Sequence, residues 1–165
     1  MESTLVNEHV DAARETGQYL AFTLGATTYG FPVGCVREVV KYTAAIKIPR
    51  VPDHIHGVIN IRGDVLPVID LSHVFYGKKA SITGSSGIVF VEERTSGETG
   101  VVGLLIDSVE AVLDIAIDSI EEPPPLGYHI NSEFVTGIGR AGENFIVILN
   151  IDRVLDIQML SRFGA

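Results

Sequence analysis

Residues 57–71 read GVINIRGDVLPVIDL, and residues 137–151 read GIGRAGENFIVILNI. At a single offset of 80 residues, Gly57-Val58 falls on Gly137-Ile138 and Asp70-Leu71 falls on Asn150-Ile151. Each stretch is an apolar run, a Gly-containing turn, a second apolar run and an Asp or Asn of the kind that caps a helix N-terminus. Upstream, YGFPVGCVREVV and VGLLIDSVEAVL align through Gly30 and Gly103, which places Val36 over Val109 and Val39 over Val112. Four elements shared in the same order make the ordered chain two copies of one β unit.

The rest of the chain fits that unit. From Gln18 onward, short runs of Val, Ile, Leu, Phe and Tyr are cut by Gly, Asn, Asp and Pro about every 8–12 residues, the pattern of an all-β barrel or sandwich. The runs predict strands over 19–24, 28–33, 36–42, 58–62, 65–69, 88–92, 101–113, 135–138 and 144–149. Helices are expected after Asp70, with Leu71, Val74 and Phe75 on one face before Gly77, and after Asn150, with Ile151, Val154, Leu155 and Met159 on one face. Residues 1–17 are polar and read as a flexible N-terminal tail. The single domain then covers 18–165, with a first barrel over about 18–80, a second over about 81–150 and a C-terminal helix over 151–160. A unit of some 70 residues is near the lower limit for an independent core, so the two must bury apolar surface on each other, and their seam is a natural groove.

Composition narrows the function. The chain has 165 residues, 46% hydrophobic and 20% charged, with a net charge of −9 and a mean hydropathy of +0.31. Such a chain folds, and its negative field disfavours nucleic acid and anionic lipid as direct partners. One cysteine, Cys35, excludes an internal disulfide, and the acidic N-terminus has no apolar signal-peptide core, so the cytoplasm is the expected compartment. There is no phosphate loop, no GxGxxG after a strand, no GxSxG elbow and no HExxH helix. Asp53-His54-x-His56 is the nearest thing to a metal site, but its i, i+2 histidines lie in a Pro-rich segment that reads as a solvated turn. No catalytic residue, metal or cofactor is therefore expected. Cys35 reads as a small buried residue. Alternation in Val58–Arg62 puts Ile59 and Ile61 in the core and Arg62 outward, with Gly63-Asp64 as the two-residue turn. Pro67 inside the following strand predicts an edge or a bulge. PPPLGY, residues 123–128, is a stiff extended segment that fits either a docking loop or a rigid connection.

Together, YLAFTLGATTYGFPVGCVREVVKY, IPRVPDHIHGVINIRGDVLPVIDL, VGLLIDSVEAVL and FVTGIGRAGENFIVILNIDRVL resemble the CheW family of bacterial chemotaxis coupling proteins, over about residues 18–160. The resemblance implies two SH3-like five-stranded β-barrels packed side by side. It also implies an adaptor, not an enzyme, that joins the cytoplasmic tips of chemoreceptors to a CheA-type histidine kinase whose regulatory domain shares the fold. Carried over by position, the receptor-facing groove involves Val33, Val36, Glu38, Gly57, Arg62, Ile88 and Val89. The kinase contact involves Glu121 and Leu126 in the loop 120–126, where Glu121-Glu122 replaces an expected basic residue and Leu126 an expected aromatic. A receptor tip is a helical hairpin; its apolar face suits a groove of Val33, Val36 and Ile88, with Arg62 and Glu38 fixing register.

Overall fold

The computed structural model describes residues 16–93, 100–122 and 132–156. Ten strands follow in order: β1 (Thr16–Leu24), β2 (Thr27–Pro32), β3 (Val36–Lys41), β4 (Ile55–Ile61), β5 (Asp64–Asp70), β6 (Gly87–Glu93), β7 (Gly100–Ile106), β8 (Ser108–Ala116), β9 (Val135–Ala141) and β10 (Asn144–Leu149). One helix, α1 (Leu71–Tyr76), follows β5, and residues 151–156 are helical after β10. The expected cap is in place at α1: Asp70 Oδ1 accepts from His73 N at 3.2 Å, and Gly77 at φ 73° closes the helix. Met159, expected on the C-terminal helix, lies outside the described residues.

The strands form two five-stranded sheets, β8-β1-β2-β10-β9 and β3-β6-β7-β5-β4. In the repeat alignment β3, β4 and β5 correspond to β8, β9 and β10, and β1-β2 correspond to β6-β7, so the two orders are the same order. Even the single parallel ladder of each sheet is shared, with Ile148 opposite Gly30 in one and Val68 opposite Gly103 in the other. Each sheet is nevertheless mixed in origin. The hairpin β1-β2 of the first copy sits among β8, β9 and β10 of the second, and β6-β7 of the second sits among β3, β4 and β5 of the first. A boundary at residue 80 therefore does not separate the barrels; each contains strands from both sides of it.

The exchange explains the hydropathy. Along β1, Tyr19 and Ala21 enter the interior of one barrel. Leu20, Phe22 and Leu24 point the other way, into a larger core between the barrels. Along β6, Ile88 and Phe90 fill the other barrel, and Val89 and Val91 face the same shared core. The exchanged hairpins are thus buried on both faces. Phe22, Phe31, Phe75, Tyr29 and Phe134 stack through the shared core at ring separations of 5.0–6.0 Å, and each fully buried large side chain contributes roughly 1.5–3 kcal/mol.

Each barrel closes in the same way. After β3 the chain reaches the outer edge of β4, where Ile46 and Val58 exchange backbone hydrogen bonds of 2.8 and 2.9 Å. After β8, Glu121 and Ile138 exchange bonds of 3.0 and 2.8 Å. The glycines that anchor the repeat make this closure possible. A Cβ on Gly57 would lie 2.5 Å from Ile46 O, and one on Gly137 would lie 2.8 Å from Glu121 O.

Several sequence expectations are corrected. β1 begins at Thr16, inside the segment read as tail. The run 101–113 is two strands, because the chain turns at Asp107 from one sheet to the other; Asp107 N donates to Thr23 O and its carboxylate accepts from Gly25 N. β5 is an inner strand, not an edge, and its ladder with β7 starts at Val68, just after Pro67. His54 and Ile55 are buried, so the segment around them is not a solvated turn.

Candidate functional site

The β4-β5 hairpin turns at Arg62-Gly63, since Ile61 pairs with Asp64, one residue earlier than expected. Both turn residues have positive φ, 52° and 91°, the combination of a two-residue turn that matches sheet twist. Asn60 Oδ1 accepts from Gly63 N at 2.9 Å and braces it. Arg62 is therefore exposed because it is a turn residue, and alternation along β4 does not account for it. A left-handed backbone is uncommon for a residue other than Gly, Asn or Asp. Its guanidinium pairs with the Glu38 carboxylate of β3, and the pair lies beside a small pocket of about 110 Å³ at the mouth of the barrel, floored by Ile61, Leu66, Phe90 and Val101. The Arg62 side chain is 74% exposed and Glu38 30%, so the pair adds little to stability and leaves the cation accessible.

The other face of β3 looks onto the seam between barrels. Val39 lies opposite Val89, on the shared-core side, and is 40% exposed. Val112 of β8 lies opposite Leu20, and Val109 opposite Phe22, so they too are on the shared-core side and partly exposed. Between β3 and β8 runs an open cleft of about 400 Å³ lined by Val39, Lys41, Ser85, Gly87, Ser108 and Val109. The seam is the groove expected from sequence, but its walls are the two outer strands.

The seven residues assigned to a receptor face separate accordingly. Val33 and Val36 are partly buried at the margin of the shared core; Glu38 and Arg62 sit together at the barrel mouth. Ile88 and Val89 are fully buried, Ile88 in the barrel and Val89 in the shared core, so neither presents surface; they lie on β6 beside β3, paired with Val40 and Val39. Gly57 is buried as well and serves barrel closure. On the second barrel Glu121 is exposed apart from its backbone bridge to Ile138, and Leu126 lies outside the described residues. Val39, Val109 and Val112 were missed as surface, although the alignment of Val39 with Val112 was the signal that could have found them.

His56 holds a further polar cluster. Lys47 Nζ reaches its Nδ1 at 3.4 Å and its carbonyl at 3.2 Å, and Tyr42 Oη is 2.8 Å from Nε2. An ammonium only donates, so Nδ1 accepts and Nε2–H donates to Tyr42. Burial, then repulsion from Lys47, lowers the imidazole pKa below its ordinary value. Among the described residues no group of three or more His, Cys, Asp or Glu side chains is placed to hold a metal ion, and no helix is long and apolar enough to cross a membrane.

Residues 18–159 match the family described as CheW-like domain. The chain is 30% identical over 151 residues to the chemotaxis protein CheW of Klebsiella aerogenes, covering 91% of this chain and 89% of that one. It is 34% identical over 147 residues to protein FrzA of Myxococcus xanthus, covering 87% and 88%. Among solved structures, that of the scaffolding protein TtCheW from Thermoanaerobacter tengcongensis is similar with a TM-score of 0.74 and 35% identity, covering 85% of this chain and 88% of that one.

Proposed function

The chain belongs to the CheW-like domain family, the chemotaxis coupling adaptors, and from that premise we propose how it engages its partners. It binds the helical-hairpin tip of a chemoreceptor on the surface around β3, through Arg62 and Glu38 with Val33 and Val36, while Ile88 and Val89 on the neighbouring strand and Gly57 at the barrel closure support that surface indirectly. It binds the regulatory domain of a CheA-type histidine kinase on the second barrel, through Glu121 and Leu126. It acts without catalytic turnover, metal or cofactor, in the cytoplasm, and reaches the membrane only by recruitment into receptor arrays.

One observation carries this reading: a solvent-accessible Arg62 held on a left-handed turn and oriented by Glu38. A guanidinium that contributes little to folding yet is fixed in place suits a charge-assisted contact with a partner. A second reading, coupling in a system that controls surface motility or gene output instead of flagella, is favoured by the 34% identity to FrzA. Calorimetric titration of Arg62→Ala against a receptor-tip fragment and against the kinase regulatory domain tests the assignment. Loss of receptor binding with kinase binding retained supports it; equal loss of both, or no loss, overturns it.

A further inference from the structure

The seam groove is symmetric in shape and antisymmetric in charge. Its walls, β3 and β8, are equivalent strands of the two repeats. Val36 corresponds to Val109 and Val39 to Val112, and both strands carry a register shift at the same place, at Arg37 in β3 and at Glu110 in β8. At the charged positions the sign reverses. Arg37 corresponds to Glu110 and Lys41 to Asp114, and all four side chains are exposed. The surroundings extend the reversal. Residues 33–106, which include all of β3 to β7, contain eight basic and seven acidic residues, whereas residues 107–156, which include β8 to β10, contain two basic and ten acidic. A helical partner laid on the exposed valines would meet a near-symmetric trough, and nothing in the apolar lining would distinguish its two directions.

We propose that the reversed charge of the two walls fixes the direction in which a receptor helix lies in the groove. The helix that fits has an apolar stripe against Val39, Val109 and Val112, an acidic flank along β3 and a basic flank along β8. This rests on the reading that the partner at this surface is a receptor tip. Arg37 is already paired with Glu92 at 2.8 Å, so Lys41 and Asp114 are the pair through which direction is best tested. Exposed charges of this kind act mainly on encounter and alignment, each with a modest effect on affinity.

The test uses the full chain, a receptor-tip fragment spin-labelled at one helix end, and paramagnetic line broadening of the backbone amides on β3 and β8. With the wild type, broadening concentrates at one end of the groove. Lys41→Asp and Asp114→Lys alone each weaken binding about two- to fivefold. The double exchange Lys41→Asp/Asp114→Lys keeps the net charge and is expected to recover affinity while moving the broadening to the opposite end. Unchanged broadening in the double variant overturns the inference and leaves the receptor reading intact. Binding without broadening at β3 or β8 also overturns it, by placing the helix elsewhere. A tip fragment that does not bind the wild type at all removes the receptor reading, and this inference with it.

Discussion

Replacing Gly57 with Ala tests the account of barrel closure. The added methyl would sit 2.5 Å from Ile46 O, 3.1 Å from Ile46 C and 3.2 Å from Ala45 Cβ. Two of these are backbone atoms and cannot rotate away. Relief requires residues 45–46 to retreat, which breaks the two Ile46–Val58 hydrogen bonds. At about 0.5–1.5 kcal/mol per bond, the loss is ~1–3 kcal/mol, and forcing a methyl into a packed position adds a further ~1 kcal/mol or more. A total near 2–4 kcal/mol in a domain of this size corresponds to a melting temperature roughly 4–16 °C lower. Thermal unfolding followed by circular dichroism measures it, with Gly34→Ala as the control, because nothing lies within 4 Å of a Cβ there. Gly137→Ala, facing Ile120 Cγ2 at 2.6 Å and Glu121 O at 2.8 Å, should behave like Gly57→Ala. If Gly57→Ala melts within a degree of wild type, the closure argument is wrong and Gly57 regains a claim to a surface role.

Arg62→Ala should change stability by less than about 1 kcal/mol, since its ion pair is exposed, while weakening receptor binding roughly 10- to 150-fold; a large drop in melting temperature with affinity intact would make the residue structural. The depressed His56 pKa gives stability a pH dependence of known sign. The unfolded chain binds this proton more readily than the folded one, so the contribution is complete above about pH 6.5 and declines as pH falls toward the lowered folded value; melting temperatures between pH 7.5 and 5.5 should show that decline, and His56→Gln should flatten it. Tyr76 Oη donates to Leu24 O at 3.2 Å and therefore accepts from Tyr29 Oη. Tyr76→Phe removes the hydroxyl to which the buried Tyr29 donates and leaves Thr27 as its remaining partner, so it should cost about 0.5–1.5 kcal/mol by urea denaturation, with the Tyr29→Phe/Tyr76→Phe pair costing less than the sum of the single changes.

The local units of this fold were readable because each rests on neighbouring residues. Asp70 and Gly77 bound a helix by chemistry that acts over a few positions, and alternation identified Ile59 and most strands. The Gly57/Gly137 offset exposed the repeat because the same close approach of backbone is required twice. Sheet membership was not readable: the alternation of β1 and β6 is equally compatible with either neighbour set, and only long-range pairing decides it. Ile88 and Val89 entered the receptor set only by position in the family resemblance, and their alternation offered nothing against it. Strands buried on both faces have no polar side to mark the surface, so Ile88 and Val89 look no different from Val39. The turn at Arg62-Gly63 was displaced by one residue because Arg is an unusual occupant of a left-handed position, which made Gly63-Asp64 the better match on residue type. The split of the receptor set between barrel mouth and seam follows from β3 having two accessible faces, a property of its outer place in the sheet.

The exchanged hairpins have a consequence for how the molecule holds together. Cutting the chain in the loop between α1 and β6 would not release two barrels; it would give two fragments, each with three strands lacking their central hairpin and one hairpin lacking its sheet. Such fragments satisfy their backbone groups only by finding each other, or a second copy of themselves, because the repeats have equivalent edges. In the intact chain that encounter is intramolecular, so completion of both barrels is governed by the length of a ten-residue connection, residues 77–86, and not by protein concentration. The arrangement is that of a hairpin-swapped dimer whose two subunits have been written into a single polypeptide, and it requires the barrels to unfold as one cooperative unit.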